Sequence, residues 1–84
     1  VVGNICESGD ILSRSGDEIS RTMSSPAIGE RLAFLDTGAY GFSMSSQYNF
    51  RPRPAEVLVH QGQSRLIRRA ETFEDLTQCF VDFN

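Results

Sequence analysis

Two sites in this 84-residue sequence combine residue types suited to chemistry. The first is Cys6-Glu7, which enters the turn-rich Ser8-Gly9-Asp10. A thiol can donate a proton, its thiolate is the reactive form, and a carboxylate beside it can bind an amine. The second is Tyr40, set between Gly38 and Gly41. It offers a phenol donor where the backbone can come close to a ligand. Each also has a plainer reading: a structural cysteine at the first, a packed ring at the second. A third group is Arg51, Arg53, Arg65, Arg68 and Arg69, interleaved with aromatics as in some single-strand binders. A net charge of −3 and the absence of lysine count against nucleic acid. Arg68 and Arg69 would instead split between two sheet faces or pair with acids such as Glu71. Because all eight basic residues are arginines, the chain has no amine for a Schiff base. Cys6 and Cys79 form no Cys-x-x-Cys pair and His60 is alone, so no metal site is expected. Two cysteines are also too few for a disulfide framework, and reduced thiols in a cytosolic setting are the expectation.

These residues need elements to hold them. Val1–Ile5 is a β-branched run that reads as a strand ending at the Cys6–Asp10 turn. Ile11 and Leu12 resume an apolar run, and 13–18 is a loop. Residues 19–27 are weakly patterned, and Pro26 argues against a helix there. A turn at 28–31 feeds a strand at Leu32–Leu35. The long connection 36–56 follows, with a proline-stiffened exit at Arg51-Pro-Arg-Pro54. Its two tyrosines, two phenylalanines and methionine mark an ordered loop, and ordered loops of this length are usually functional. Ala55–His60 and Gln63–Arg69 read as strands joined by Gln61-Gly62, a hairpin signal. Leu66 and Ile67 are adjacent, so alternation falters there. Thr72-Phe-Glu-Asp75 resembles a capping box. Phe73, Leu76, Phe80 and Phe83 fall on one face of the helix it would start. Cys79 beside that face reads as a buried small apolar residue.

The result is one small, mostly β domain of about four short strands and a terminal helix. A chain this short buries only roughly 60 % of its unfolded surface. So few strands leave open edges, so the fold should be an incomplete barrel or sandwich, finished by strands from elsewhere. The lack of an initiator methionine also suggests a piece of a longer chain or a processed product. No run approaches the roughly 18 apolar residues of a membrane span, and no secretory signal pattern is present.

Cys6-Glu-Ser-Gly-Asp10, then 36–49 from Asp36-Thr-Gly-Ala-Tyr-Gly to Gln47-Tyr-Asn49, then Arg51-Pro-Arg-Pro-Ala-Glu-Val57 and Leu66-Ile-Arg-Arg69 occur in order. In these motifs the sequence resembles the C-terminal portion of the diaminopimelate decarboxylases, pyridoxal-phosphate enzymes of the alanine racemase and ornithine decarboxylase fold group. The resemblance runs from Val1 to Leu76 and leaves 13–28 unmatched. It implies that 1–84 is the C-terminal β-domain portion of a two-domain decarboxylase. A (β/α)8 barrel elsewhere would hold the cofactor and its lysine. It further implies a homodimer with active sites shared between subunits. By motif, Cys6 matches the cysteine that reprotonates Cα. Glu7 matches the acid that grips the substrate's distal ammonium, and Tyr40 the tyrosine that contacts cofactor phosphate and substrate. Glu rather than Asp after the cysteine favours diaminopimelate over ornithine. The implied reaction turns meso-diaminopimelate into lysine and carbon dioxide in the cytoplasm.

Other readings stay open on sequence: a decarboxylase of ornithine, arginine or a carboxylated polyamine, or a non-catalytic β-domain for dimerisation or regulation. The isolated segment is expected to be inactive, since the cofactor's lysine lies outside it.

Overall fold

The computed structural model describes residues 1–14, 16–18 and 20–82. The chain folds as two units, Val1–Asp36 and Thr37–Asn84, taken here in turn.

In the first unit the expected strand Val1–Ile5 is reduced to one antiparallel bridge, Val2 opposite Ile11. Two backbone bonds flank it: Gly3 N–H donates to Asp10 O at 3.1 Å, and Leu12 N–H donates to Val1 O at 2.9 Å. Val2 and Ile11 are therefore a non-hydrogen-bonded pair, the position where opposed side chains approach most closely. The run stops there because 3–10 turns back on itself. Glu7 N–H bonds Ile5 O at 2.8 Å, and Asp10 N–H bonds Glu7 O at 3.2 Å. A second turn closes at 27–30, where Glu30 N–H reaches Ala27 O at 3.1 Å and Gly29 takes φ 94°. The Glu30 carboxylate accepts from Ala27 N–H at 2.8 Å. Residues 32–35 form no strand. A strand is defined by its ladder, and 32–35 take part in none. The expected pattern at 19–27 includes Ile19, which lies outside the described residues; 20–27 are irregular.

The second unit holds the regular structure. Strands β1 (Glu56–His60) and β2 (Gln63–Arg68) form an antiparallel hairpin. Gln61 and Gly62 take φ 50° and 73°, the left-handed pair a two-residue hairpin turn requires. Val57 faces Leu66, Leu58 faces Arg65 and Val59 faces Ser64. The register then shifts: Glu56 faces Arg68, leaving Ile67 as the extra residue of a bulge. This bulge accommodates the adjacent Leu66 and Ile67.

Helix α1 (Phe73–Thr77) starts at the expected capping box. Asp75 N–H donates to Thr72 Oγ1 at 3.4 Å, and Thr72 N–H donates to Asp75 Oδ2 at 2.8 Å. The helix ends sooner than its apolar face suggests. Thr77 Oγ1 donates to the Phe73 and Glu74 carbonyls, both at 3.3 Å, competing with the backbone for those acceptors. Phe80 N–H then bonds Thr77 O at 2.9 Å in a turn. Phe80 thus leaves the helix, and Phe83 lies outside the described residues.

Leu76 is the only buried apolar side chain among the described residues. Beside the helix, Phe50 meets Phe73 edge-on at 5.9 Å and Phe80 in a stack at 6.4 Å. Cys79, read from sequence as buried, is exposed. Both faces of the hairpin are open: Leu58 is 50 % exposed on one and Val59 71 % on the other. The fold is small and mostly β, with one short helix and an unfinished two-stranded sheet.

Candidate functional site

Cys6 and Glu7 stand at the tip of the loop 3–10, which the Val2–Ile11 bridge closes at its base. The Cys6 thiol is free and exposed. Glu7 Oε1 accepts from Gly9 N–H at 2.9 Å, so the carboxylate folds over its own turn. The base of the loop is tight. A Cβ on Gly3 would lie 1.4 Å from Asp10 Oδ2, because the Asp10 carboxyl occupies the space above Gly3. The Gly9 Cβ position lies 3.1 Å from Glu7 Oε1. The loop presents a thiol and a carboxylate on adjacent residues, held by backbone bonds within 3–10. That arrangement can deliver a proton and hold a cation.

Tyr40 belongs to the second unit. It is 66 % exposed and joins Ala39 through a cis peptide. The turn around it closes where Gly41 N–H donates to Thr37 O at 2.6 Å. A side chain at residue 41 would meet that carbonyl at 2.7 Å, so glycine is required there. At Gly38 nothing lies within 4 Å of the Cβ position. Open space beside a glycine and an exposed phenol fit a phosphate-bearing group approaching the backbone. Beyond the turn, Ser45 N–H and Oγ both donate to Phe42 O, at 2.8 and 2.5 Å.

Arg53, Arg68 and Arg69 are committed to carboxylates. Arg53 Nε donates to Glu71, which also accepts from Gln47 Nε2, while Glu71 N–H returns a bond to Arg53 O at 3.0 Å. Arg68 Nε reaches Glu56 Oε2 at 2.5 Å, across the strand pair created by the bulge. Arg69 holds both Asp75 oxygens, at 2.5 and 3.0 Å. The Arg53 hydrogen bond, then that of Gln47, lowers the Glu71 pKa. The Arg69 fork, then the Thr72 N–H, holds Asp75 far below the usual carboxylate range, and Asp75 raises Arg69 in return. Arg68 and Arg69 thus pair with acids, as one of the two sequence readings had it, though neither takes Glu71. A cleft of about 350 Å³ lies among these pairs, lined by Gln47, Arg53, Arg68, Arg69, Glu71 and Asp75 with Gln78.

Phe42 was not singled out from the sequence. Its ring lies under two guanidiniums, 5.4 Å from Arg53 Cζ and 4.9 Å from Arg68 Cζ. The only sequence signal was its place two residues after Tyr40. Among the described residues no group of three or more His, Cys, Asp and Glu side chains could hold a metal ion, and no helix is long and apolar enough to cross a membrane.

The chain is 53 % identical to a diaminopimelate decarboxylase of Methanothermobacter thermautotrophicus over 76 residues, which is 90 % of this chain and 17 % of that protein. It is 48 % identical to that of Aquifex aeolicus over 84 residues, 98 % of this chain and 18 % of that protein. For the Escherichia coli K12 enzyme the figures are 49 % over 78 residues, 90 % and 19 %. No family model and no solved structure matches. Matches of this strength to proteins of one name define a decarboxylase segment. The chain belongs to the diaminopimelate decarboxylase family, and spans less than a fifth of the length of these relatives.

Proposed function

We propose that this chain is the C-terminal β-domain portion of a pyridoxal-phosphate-dependent decarboxylase that converts meso-diaminopimelate to L-lysine and carbon dioxide. The observation that carries the reading is the closed loop 3–10, with an exposed thiol at Cys6 and a carboxylate at Glu7. In the parent enzyme this loop reaches into the site of a partner subunit in a homodimer, and Tyr40 serves the site of its own subunit. The exposed free thiols suit a reducing cytosol.

The residues divide the work. The Glu7 carboxylate pairs with the distal ammonium of the substrate and so selects a diamino acid. The Tyr40 phenol donates a hydrogen bond to the cofactor phosphate. Pyridoxal phosphate, when bound, supplies the electron sink for the pair left on Cα as the Cα–carboxyl bond breaks. The Cys6 Sγ–H then delivers its proton to Cα, and the resulting thiolate regains a proton from solvent.

The test is carbon dioxide release by the full-length parent chain with pyridoxal phosphate, offered diaminopimelate, ornithine, arginine and lysine. Turnover of diaminopimelate alone, reduced about 10²–10⁴-fold in kcat by Cys6→Ala, is the expected result. Turnover of another diamine would keep the mechanism and move the substrate. No turnover by a folded, cofactor-loaded dimer would overturn the reading in favour of a regulatory domain.

A further inference from the structure

The Arg51-Pro-Arg-Pro54 exit has no role in the chemistry above, yet it carries Arg53, one of two cations stacked on Phe42. Two guanidiniums on one ring repel each other. They are held together here because each has its own carboxylate: Glu71 for Arg53 and Glu56 for Arg68. The Glu71 side chain is only 13 % exposed, fixed by Arg53, Gln47 and its own backbone bond. The bulge at Ile67 is what puts Arg68 opposite Glu56. Phe42 in turn is tied to the Tyr40 turn, since its carbonyl accepts both Ser45 bonds and Gly41 bonds Thr37.

We propose that Phe42, Arg53 and Arg68 form a clamp that fastens the 37–46 loop to the hairpin and makes all three positioning residues for Tyr40. The cation–ring contacts give the loop a rigid anchor two residues from the phenol. Without them the loop loses its contacts with Arg53 and Arg68, and the conformation that presents Tyr40 becomes a smaller fraction of the population. A cofactor that needs that conformation then binds more weakly by the same fraction. The functional half of this inference rests on the reading of Tyr40 as a phosphate contact, whereas the clamp itself does not.

Hydrogen exchange of peptides covering 37–46, in the cofactor-free full-length parent chain, reads the clamp directly. Phe42→Leu keeps apolar bulk and loses the ring face, so exchange should rise about 5- to 30-fold, the value of two cation–ring contacts. Arg53→Gln or Arg68→Gln, losing one ring contact and the ion pair that holds it, should raise it by at least about 2- to 5-fold. Phe42→Tyr keeps the face and should retain slow exchange. Unchanged exchange in Phe42→Leu, or loosening in Phe42→Tyr equal to that in Phe42→Leu, overturns the clamp. The cofactor dissociation constant, followed by absorbance, should rise in Phe42→Leu in step with exchange and be restored in Phe42→Tyr. If exchange rises while the constant does not, and Tyr40→Phe weakens the cofactor, positioning is overturned and the Tyr40 role stands. If Tyr40→Phe has no effect either, the Tyr40 role itself fails and the clamp survives only as a loop anchor.

Discussion

Glu7 offers a test in which one carboxylate does two jobs that a single substitution can separate. Its Oε1 accepts from Gly9 N–H at 2.9 Å, and its backbone bonds Ile5 and Asp10. Glu7→Gln retains an acceptor at Oε1, so the turn should keep its shape. What it loses is the negative charge that the proposed function sets against the substrate's distal ammonium. A hydrogen bond to a charged group is worth about 1.5–3 kcal/mol, and a neutral one about 0.5–1.5 kcal/mol. The difference, about 1–2 kcal/mol, predicts a 5- to 30-fold loss in kcat/KM at about tenfold per 1.4 kcal/mol. Glu7→Ala removes the whole interaction and the turn bond, so its loss should reach about 10- to 150-fold. The ammonium contact is made equally before and during the reaction, so the loss should fall on KM and leave kcat nearly unchanged. Cys6→Ala should do the reverse. Steady-state carbon dioxide release by the full-length parent, for wild type, Glu7→Gln and Glu7→Ala, measures the ladder. A Gln variant equal to wild type, or one that loses kcat alone, would refute the assignment of Glu7 to the distal ammonium.

Thr72→Ala removes the acceptor of the Asp75 N–H and should destabilise α1 by about 1 kcal/mol, seen as faster hydrogen exchange across 73–77. Gly62→Ala forces a Cβ into φ 73° and should weaken the hairpin by about 1–2 kcal/mol, read from the denaturation midpoint. Asp75 and Glu71 have depressed folded pKa values, so their pairs stabilise the fold fully above the ordinary carboxylate pKa near 4. That contribution fades as pH falls through the folded values, because the unfolded chain binds protons first. Acid unfolding followed from pH 7 to 2 should therefore begin below about pH 4, and Arg69→Gln should move the onset upward; an onset unmoved by that change would deny the Asp75 pair its part.

Local signals in the sequence carried the second unit further than the first. The hairpin turn needs two left-handed residues, and Gln61-Gly62 announces it without reference to anything distant. The cap at Thr72 and Asp75 is likewise complete within four residues. The adjacent Leu66 and Ile67 even marked the bulge, as a lapse in alternation. The runs at 1–5 and 32–35 have strand-like composition, but a strand exists only against a neighbour, and composition does not name the neighbour. At the site, Cys6, Glu7 and Tyr40 are legible as motif residues. Phe42 is not, and Glu71 is legible only as an acid for Arg68 or Arg69 rather than for Arg53, because these roles come from contacts spanning eleven to 26 residues of sequence. The helix end was missed because Thr77 reads as a neutral helix residue, while its hydroxyl takes the carbonyls at 73 and 74.

The bulge also sets how this hairpin tolerates changes of length. With the turn fixed at His60 opposite Gln63, deletion of Ile67 removes only the unpaired residue. Every other partnership survives, including Glu56 with Arg68, in a ladder that has become regular. Deletion of Ser64 also yields a regular ladder, but Arg65 and Leu66 trade faces, because side chains alternate along a strand. Two deletions of equal size, three positions apart, would thus leave chains of the same length with opposite outcomes at the sheet surface, so length variation in this strand is harmless at one position and disruptive at its neighbours.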